Sequence, residues 1–221
     1  MTGRMVALAD GRQVLIRALG PQDAVALGDV YAALGHRDQR MRFSRSGLPA
    51  AEAHALAAAE LGRARCGVIA FDPGAAPPRP VAAAVCVPDG TGPAEVALAV
   101  LGSHQGARLG RALLSDLLAA ACQAGLPVLR AVIRRDNAPA LSLFRSLGCL
   151  RVERPGPDEL VIEIATDGTM PGWPGGATGL RVLVESRGWA ERPDTAQLRA
   201  EGAEVRQCAG PAAGIVRAGA L

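Results

Sequence analysis

The sequence predicts an α/β fold in which a mixed, mostly antiparallel sheet is flanked by helices. Short apolar runs of strand length alternate along the chain with longer segments whose apolar residues recur at helical spacing. Apolar runs that are joined only by Gly- and Pro-rich turns predict antiparallel hairpins. Hydrophobic residues make up 49% of the 221 residues and aromatic residues 3%, so we expect a core of Ala, Val, Leu and Ile.

Turn and cap residues set the boundaries of the predicted elements. Pro21 is placed to open the first helix, and Asn137 is placed to cap a late helix that Gly148 ends. The basic segment His36–Phe43 connects the first two helices. In chain order, the predicted elements are a strand at Gln13–Ala18, a helix from Pro21 to Leu34, a helix at about Ala50–Leu61, strands at Cys66–Asp72, Val81–Val87 and Val96–Leu101, a helix from Leu109, a strand at Pro127–Arg134, a helix from Asn137 to Leu147, and strands at Cys149–Glu153 and Glu159–Ile164.

The Gly- and Pro-rich composition of residues 166–179 predicts a linker. We therefore expect one main domain over residues 13–165, before this linker. Residues 180–221 form a short βαβ-like appendage of unknown function, which lacks a glycine fingerprint for nucleotide binding. Its predicted elements are strands at Leu180–Glu185 and Ala203–Cys208 and a helix at Pro193–Glu201. Three possibilities stay open for it: pairing with another chain in a homodimer, packing on the main sheet, or partial disorder at Ala209–Leu221.

The stretch Ala94–Leu118 carries the clearest chemical signal, because a strand, a Gly-containing turn and an amphipathic helix follow one another. The first amides of a helix lack intrahelical partners and lie at the positive end of the helix dipole, so such a turn suits a phosphate. Gly106 and Gly110 let the backbone approach a ligand closely. Arg108 and Arg111 flank the turn and are suited to charge-assisted bonds with the same anion.

The order of residues in this turn resembles the acyl-CoA pyrophosphate loop of the GCN5-related N-acetyltransferase (GNAT) superfamily, Gln/Arg-x-x-Gly-x-Gly/Ala. Gln105 and Gly110 match that pattern, whereas Arg108 takes the place of the middle glycine. An ordinary turn between a strand and a helix of an α/β domain is the alternative interpretation of these residues.

Two further motifs support the resemblance. The segment Asn137–Cys149 is similar to the family's Asn-x-x-Ala-x-x-x-Tyr-x-x-x-Gly-Phe, with Phe144 at the tyrosine position and Cys149 at the phenylalanine position. The N-terminal part resembles the GNAT domain of bacterial protein-lysine acetyltransferases. The residues that carry this third match are Asp10-Gly11, Val14, Ile16-Arg17, Pro21-Gln22-Asp23-Ala24 and Arg40-Met41-Arg42-Phe43.

The resemblance implies that acetyl-CoA is the acyl donor and that it lies between the strand ending at Leu101 and the strand at Val128–Arg134. Backbone groups of the first strand would pair with the pantetheine arm, and the turn would bind the pyrophosphate. For Asn137, plain helix capping is the alternative role. The implied cofactor-binding residues are Leu98, Val100, Leu101, Gln105, Gly106, Ala107, Arg108, Leu109, Gly110, Arg111, Ala112 and Asn137.

An amine must lose a proton before it attacks a thioester, and a carboxylate on the central strand can accept that proton. The resemblance implies that Glu95 is this catalytic base, while a solvent-facing carboxylate at a strand end is the alternative. Glu153 and Glu159 are weaker candidates. Phe144 cannot protonate the leaving thiolate as the family's tyrosine does. The remaining candidates for that role are His104, which is otherwise a surface residue, and Tyr31, which is otherwise core or substrate wall.

Charge and composition narrow the classes of function. All 24 basic residues are Arg, and the formal net charge of +3 is too small to favour nucleic acid binding. Neither a signal-peptide pattern nor an uncharged apolar run of about 18 residues is present, so we expect no membrane segment and a cytoplasmic location. Cysteines without ligand spacing predict reduced, buried residues and no metal site. They are Cys66, Cys86, Cys122, Cys149 and Cys208.

These observations together predict an acyl-CoA-dependent N-acetyltransferase whose acceptor is a protein lysine or a small-molecule amine. A catalytically weak or inactive acyl-CoA-binding regulatory module is the alternative, which Arg108 and Phe144 favour. A basic rim favours an acidic protein surface or a carboxylate-bearing substrate over polycationic amines. The alternative interpretation is a solvated connector whose arginines pair with local carboxylates. The arginines of this segment are Arg37, Arg40, Arg42 and Arg45.

Overall fold

A computed structural model describes residues 3–90, 92–147, 151–153, 155–169, 181–186, 200, 204–209 and 216–219. The chain divides into two compact units, Met1–Leu126 and Pro127–Leu221. In the described part of the chain, no helix has both the length and the apolar character that crossing a membrane requires.

The first unit contains five strands that pair antiparallel in chain order. The first of them was not predicted, because it is a short edge strand whose side chains are mostly exposed and therefore lack an apolar alternation. The next two have the predicted bounds. The strands are β1 at Arg4–Ala7, β2 at Gln13–Ala18, β3 at Cys66–Asp72, β4 at Arg79–Val87 and β5 at Ala94–Val100.

Four helices complete this unit: α1 at Ala24–Ala32, α2 at His36–Phe43, α3 at Ala50–Arg63 and α4 at Leu109–Gln123. Helices α1 and α3 pack on each other and on β4, and α4 packs on β3, β4 and β5. The apolar stripe predicted for α4 is its core face, and four of its leucines are at most 1% exposed. They are Leu109, Leu113, Leu114 and Leu117.

The basic segment His36–Phe43, which was predicted only as a connection between two helices, is itself helical and forms α2. Side chains from distant parts of the chain hold it. Arg42 forms an ion pair with Glu60 of α3, and its guanidinium lies 4.8 Å from the centre of the Phe43 ring. Gln39 is buried, and its side-chain oxygen accepts hydrogen bonds from the backbone amides of residues 47 and 48 at 2.9 and 3.1 Å.

The second unit contains β6 at Val128–Arg134, α5 at Ala138–Arg145, β7 at Arg151–Glu153 and β8 at Glu159–Ala165. Strand β8 pairs antiparallel with both β6 and β7. The predicted residues Gly148 and Cys149 lie outside the described part of the chain. The mixed α/β class with mostly antiparallel strands is therefore confirmed.

A buried ion cluster lies on these strands. Glu163 of β8 is only 2% exposed, and one of its oxygens accepts a hydrogen bond from Arg151 of β7. Its other oxygen accepts hydrogen bonds from Arg130 of β6 at 3.0 and 3.2 Å. Two arginines therefore neutralise one carboxylate inside the sheet, as a buried charge requires.

The C-terminal part contains three further strands, β9 at Arg181–Ser186, β10 at Glu204–Ala209 and β11 at Val216–Gly219. Strand β9 lies between the other two, parallel to β10 and antiparallel to β11. The parallel pair agrees with the predicted βαβ pattern, whereas β11 was not predicted. The predicted helix at 193–201 lies outside the described residues, except that Ala200 is helical.

Candidate functional site

The end of β5 presents two of the predicted backbone positions at the strand edge that faces away from β4. The amide of Leu101 donates to the carbonyl of Val81 in β4 at 3.0 Å. Because the peptide groups of successive residues alternate between the two edges of a strand, those of Leu98 and Val100 face the other edge. Leu101 itself is buried, and its amide is already used in the sheet.

The turn after β5 contains two residues in the left-handed region, Gly106 with φ +74° and Arg108 with φ +65°. Glycine adopts this conformation without steric cost, whereas an arginine does not. The carbonyl of buried Ala107, which lies between them, accepts a hydrogen bond from the amide of Ala9 at 3.1 Å. The turn is therefore attached to the loop between β1 and β2.

Helix α4 begins at this turn with free amides. Arg108 is its N-cap residue and makes no side-chain capping bond, and the first intrahelical bond runs from Ala112 to the Arg108 carbonyl at 3.3 Å. The amides of residues 109–111 thus lack intrahelical partners. Arg108 and Arg111 are exposed, and neither forms an ion pair with a described residue. This arrangement of amides and two cations fits a diphosphate.

The left-handed backbone at Arg108 is a conformation that favours glycine. We predict that Arg108→Gly raises the free energy of unfolding by about 0.5 kcal/mol, because it removes a left-handed penalty of about 1–2 kcal/mol and adds about 0.4–1 kcal/mol of unfolded-chain entropy. Arg111→Gly is the matched control, since Arg111 is helical and its replacement should cost roughly 1 kcal/mol. Urea unfolding measures both, and a loss of stability in both variants contradicts the prediction.

Gln105 connects the turn to helix α2. Its side-chain amide donates to the carboxylate of Asp38 at 3.1 Å and to the carbonyl of Val100 at 3.0 Å. The contribution of Asp38 was not predicted, because this contact joins residues that are 67 positions apart in the chain. Gln105, the first residue of the turn motif, thus links the turn to α2 and to the end of β5.

Glu95 is the second residue of β5, where it pairs with Val87 of β4. Its side chain is exposed, and among the described residues none forms a hydrogen bond or ion pair with its carboxylate. The carboxylate is therefore available to accept a proton from a molecule in solution. Glu159, the weaker candidate, is also exposed and begins β8 in the second unit, and the side chain of Glu153 lies outside the described part.

Two motif residues of the second unit have structural roles. The side-chain oxygen of Asn137 accepts a hydrogen bond from the amide of Ala140 at 3.2 Å, so Asn137 caps α5. Phe144 is 4% exposed and belongs to the core. A buried phenyl ring offers no proton to a leaving group.

The two other candidates for a general acid are buried. Tyr31 is a core residue whose hydroxyl donates to Glu60, and burial raises the pKa of this hydroxyl. His104 is 6% exposed, so the expectation of a surface residue was wrong. It lines a pocket of about 260 Å³ with Arg12 and Asp72, and burial lowers the pKa of its imidazole.

Comparisons with solved structures agree with the geometry of the fold. The GNAT domain of Streptomyces lividans PAT is 23% identical and covers 74% of this chain and 96% of its own, with a TM-score of 0.61. YncA of Salmonella typhimurium, solved with its cofactor acetyl-CoA, is 22% identical, with coverage of 70% and 94% and a TM-score of 0.53. A GNAT-family acetyltransferase from Streptococcus pneumoniae is 18% identical, with coverage of 69% and 98% and a TM-score of 0.52.

Comparison at the level of sequence gives two further findings. No curated protein matches the chain. The model of the acetyltransferase (GNAT) family matches residues 33–149, which span β3 to β6, the turn at 102–108 and helices α2 to α5. Because this match covers more than half of the chain, the protein belongs to the GNAT family of N-acetyltransferases.

Proposed function

We propose that the protein transfers the acetyl group of acetyl-CoA to an amine by direct attack of the amine on the thioester. The observation that carries this proposal is the start of α4, where amides without intrahelical partners and two exposed arginines, Arg108 and Arg111, surround a left-handed turn. The diphosphate of acetyl-CoA fits these groups. The backbone groups of Leu98 and the amide of Val100 are suited to the amides of its pantetheine arm, whereas the carbonyl of Val100 already accepts a hydrogen bond from Gln105.

The proposed reaction forms a bond between the acceptor nitrogen and the acetyl carbon and breaks the thioester bond to sulfur. Glu95 accepts the proton that the attacking amine must lose. The CoA thiolate leaves without a dedicated acid, which is acceptable because thiols have a pKa of about 8.5. This account needs no proton from Phe144, Tyr31 or His104.

The acceptor is proposed to be an amine next to carboxylates, as in a protein lysine with an acidic surround. Of the four arginines in the basic segment, Arg42 and Arg45 form ion pairs with Glu60 and Glu52. Arg37 and Arg40 are exposed on α2, and neither forms an ion pair with a described residue. These two cations repel polycationic amines and attract an acceptor of negative charge.

A panel of acceptors tests this function. Free thiol is measured after acetyl-CoA is mixed with lysine peptides of acidic, neutral and basic surround, with amino acids, and with a polyamine. We expect the fastest thiol release and N-acetylation with the acidic peptide. Saturable acetyl-CoA binding without thiol release on any acceptor favours the regulatory module instead. Equal rates of thiol release with the three peptides contradict the proposal that the α2 arginines select an acidic acceptor.

We predict that Arg111→Ala weakens acetyl-CoA binding by between about 10- and 100-fold, because a hydrogen bond to a charged group contributes about 1.5–3 kcal/mol. Calorimetric titration measures the Kd. Arg63→Ala is the control, since Arg63 is an exposed arginine in the last turn of α3. Equal affinity in wild type and Arg111→Ala places the pyrophosphate elsewhere.

A further inference from the structure

Two cysteines lie directly opposite each other in the sheet of the first unit. Cys66, the first residue of β3, is the cross-strand partner of Cys86 in β4. The Cα atoms of such antiparallel partners are about 4.5–5.5 Å apart, and their side chains leave the same face of the sheet. Disulfides span Cα distances of about 4.4–6.8 Å, so no rearrangement of the backbone is needed to join this pair.

The two cysteines are cross-strand neighbours, but their thiols have different surroundings. Both are free, Cys86 is buried, and Cys66 is partly exposed. The neighbouring Cys86 thiol and the charge of Arg65 lower the pKa of the Cys66 thiol. The Cys66 thiol and burial raise the pKa of the Cys86 thiol. An accessible sulfur with thiolate character beside a second thiol is typical of oxidation-sensitive pairs.

We propose that Cys66 and Cys86 are a reversible redox site at which hydrogen peroxide converts the two thiols into a cross-strand disulfide. The Cys66 thiolate attacks one peroxide oxygen, the O–O bond breaks, and sulfenic acid and hydroxide form. The Cys86 thiol then attacks the Cys66 sulfur, the S–O bond breaks, and water leaves. The sulfur atoms lose two electrons in total, and the peroxide gains them.

The cysteine pair lies next to β5, the strand that carries Glu95. Cys86 immediately precedes Val87, the cross-strand partner of Glu95. The disulfide therefore forms beside the strand that carries the proposed base. The proposal concerns a modification of the chain itself and stands independently of the acetyltransferase reaction.

The test uses the full chain with Cys122, Cys149 and Cys208 replaced by Ser, so that only the pair remains. The protein is treated with hydrogen peroxide, denatured, alkylated with iodoacetamide and weighed by mass spectrometry. We expect a product that has lost two hydrogens and takes up no alkyl group, and that dithiothreitol returns to the dithiol. A chain that is still alkylated at both sulfurs after this treatment overturns the proposal.

Single replacements in the same background separate the two roles. With Cys86→Ser, peroxide should leave Cys66 as a sulfenic acid that dimedone traps, whereas with Cys66→Ser the buried Cys86 should stay reduced. In the wild-type chain, exposed Cys122 of α4 is the internal control, and we expect Cys66 to be oxidised about tenfold faster. Equal rates at Cys66 and Cys122, or rapid oxidation of Cys86 in Cys66→Ser, contradict the assigned roles.

Discussion

Replacing Glu95 with Gln should lower turnover by between about 100- and 10,000-fold, because general base catalysis contributes on that order to a proton-transfer step. The amide cannot accept the amine proton, yet it has nearly the shape of the carboxylate. Glu95 is exposed, and in the described part of the chain its carboxylate forms no hydrogen bond or ion pair with the turn at 102–108. The Kd for acetyl-CoA is therefore expected to stay unchanged, and kcat for thiol release carries the loss.

Glu159→Gln is the matched control for this variant. Glu159 is likewise an exposed glutamate at the beginning of a strand, and it is the alternative base. Turnover of this control should equal that of wild type. The assignment of Glu95 fails if Glu95→Gln turns over at the wild-type rate or if the loss occurs in Glu159→Gln instead.

The second large effect is expected at Glu163, in the buried ion cluster of the second unit. Glu163→Gln removes the negative charge to which Arg151 and Arg130 both bind inside the sheet, and removing one partner of a buried ion pair costs about 3–5 kcal/mol. We expect the free energy of unfolding in urea to fall by that amount. The side chains of Arg151 and Glu163 are 7% and 3% exposed, so water cannot replace the lost carboxylate.

An exposed ion pair supplies the comparison. Arg45 and Glu52 are 2.6 Å apart, but their side chains are 49% and 42% exposed. Glu52→Gln should therefore cost about 0.5 kcal/mol or less. Similar losses in the two variants show that burial does not set the strength of the Glu163 cluster.

The sequence predicted elements whose signals are local. The bounds of β2 and β3 were correct, because each is a short apolar run between turn residues. The strand, turn and helix from β5 to α4 were also predicted, because Gly106 and the leucine spacing of α4 are visible in the chain itself. The same local pattern located the candidate binding turn between β5 and α4.

Features set by distant contacts were not predictable in this way. Helix α2 is strongly basic and has little apolar pattern, and it is held by Glu60 of α3 and by Gln105 of the turn. The pairing of Cys66 with Cys86 depends on the register of β3 on β4, which no spacing in the sequence reveals. His104 was expected at the surface because a lone histidine in a loop is commonly exposed. In the structure it is buried and lines a pocket with Arg12 and Asp72, which are distant in sequence.

The measurement that tests the central claim most directly is a calorimetric titration of the full chain with acetyl-CoA, CoA and pantetheine. If the amides at the start of α4 and the arginines beside them bind the diphosphate, acetyl-CoA and CoA bind saturably at one site, and pantetheine, which lacks the diphosphate, binds far more weakly. The absence of saturable acetyl-CoA binding, or equal affinity for pantetheine and CoA, contradicts the account.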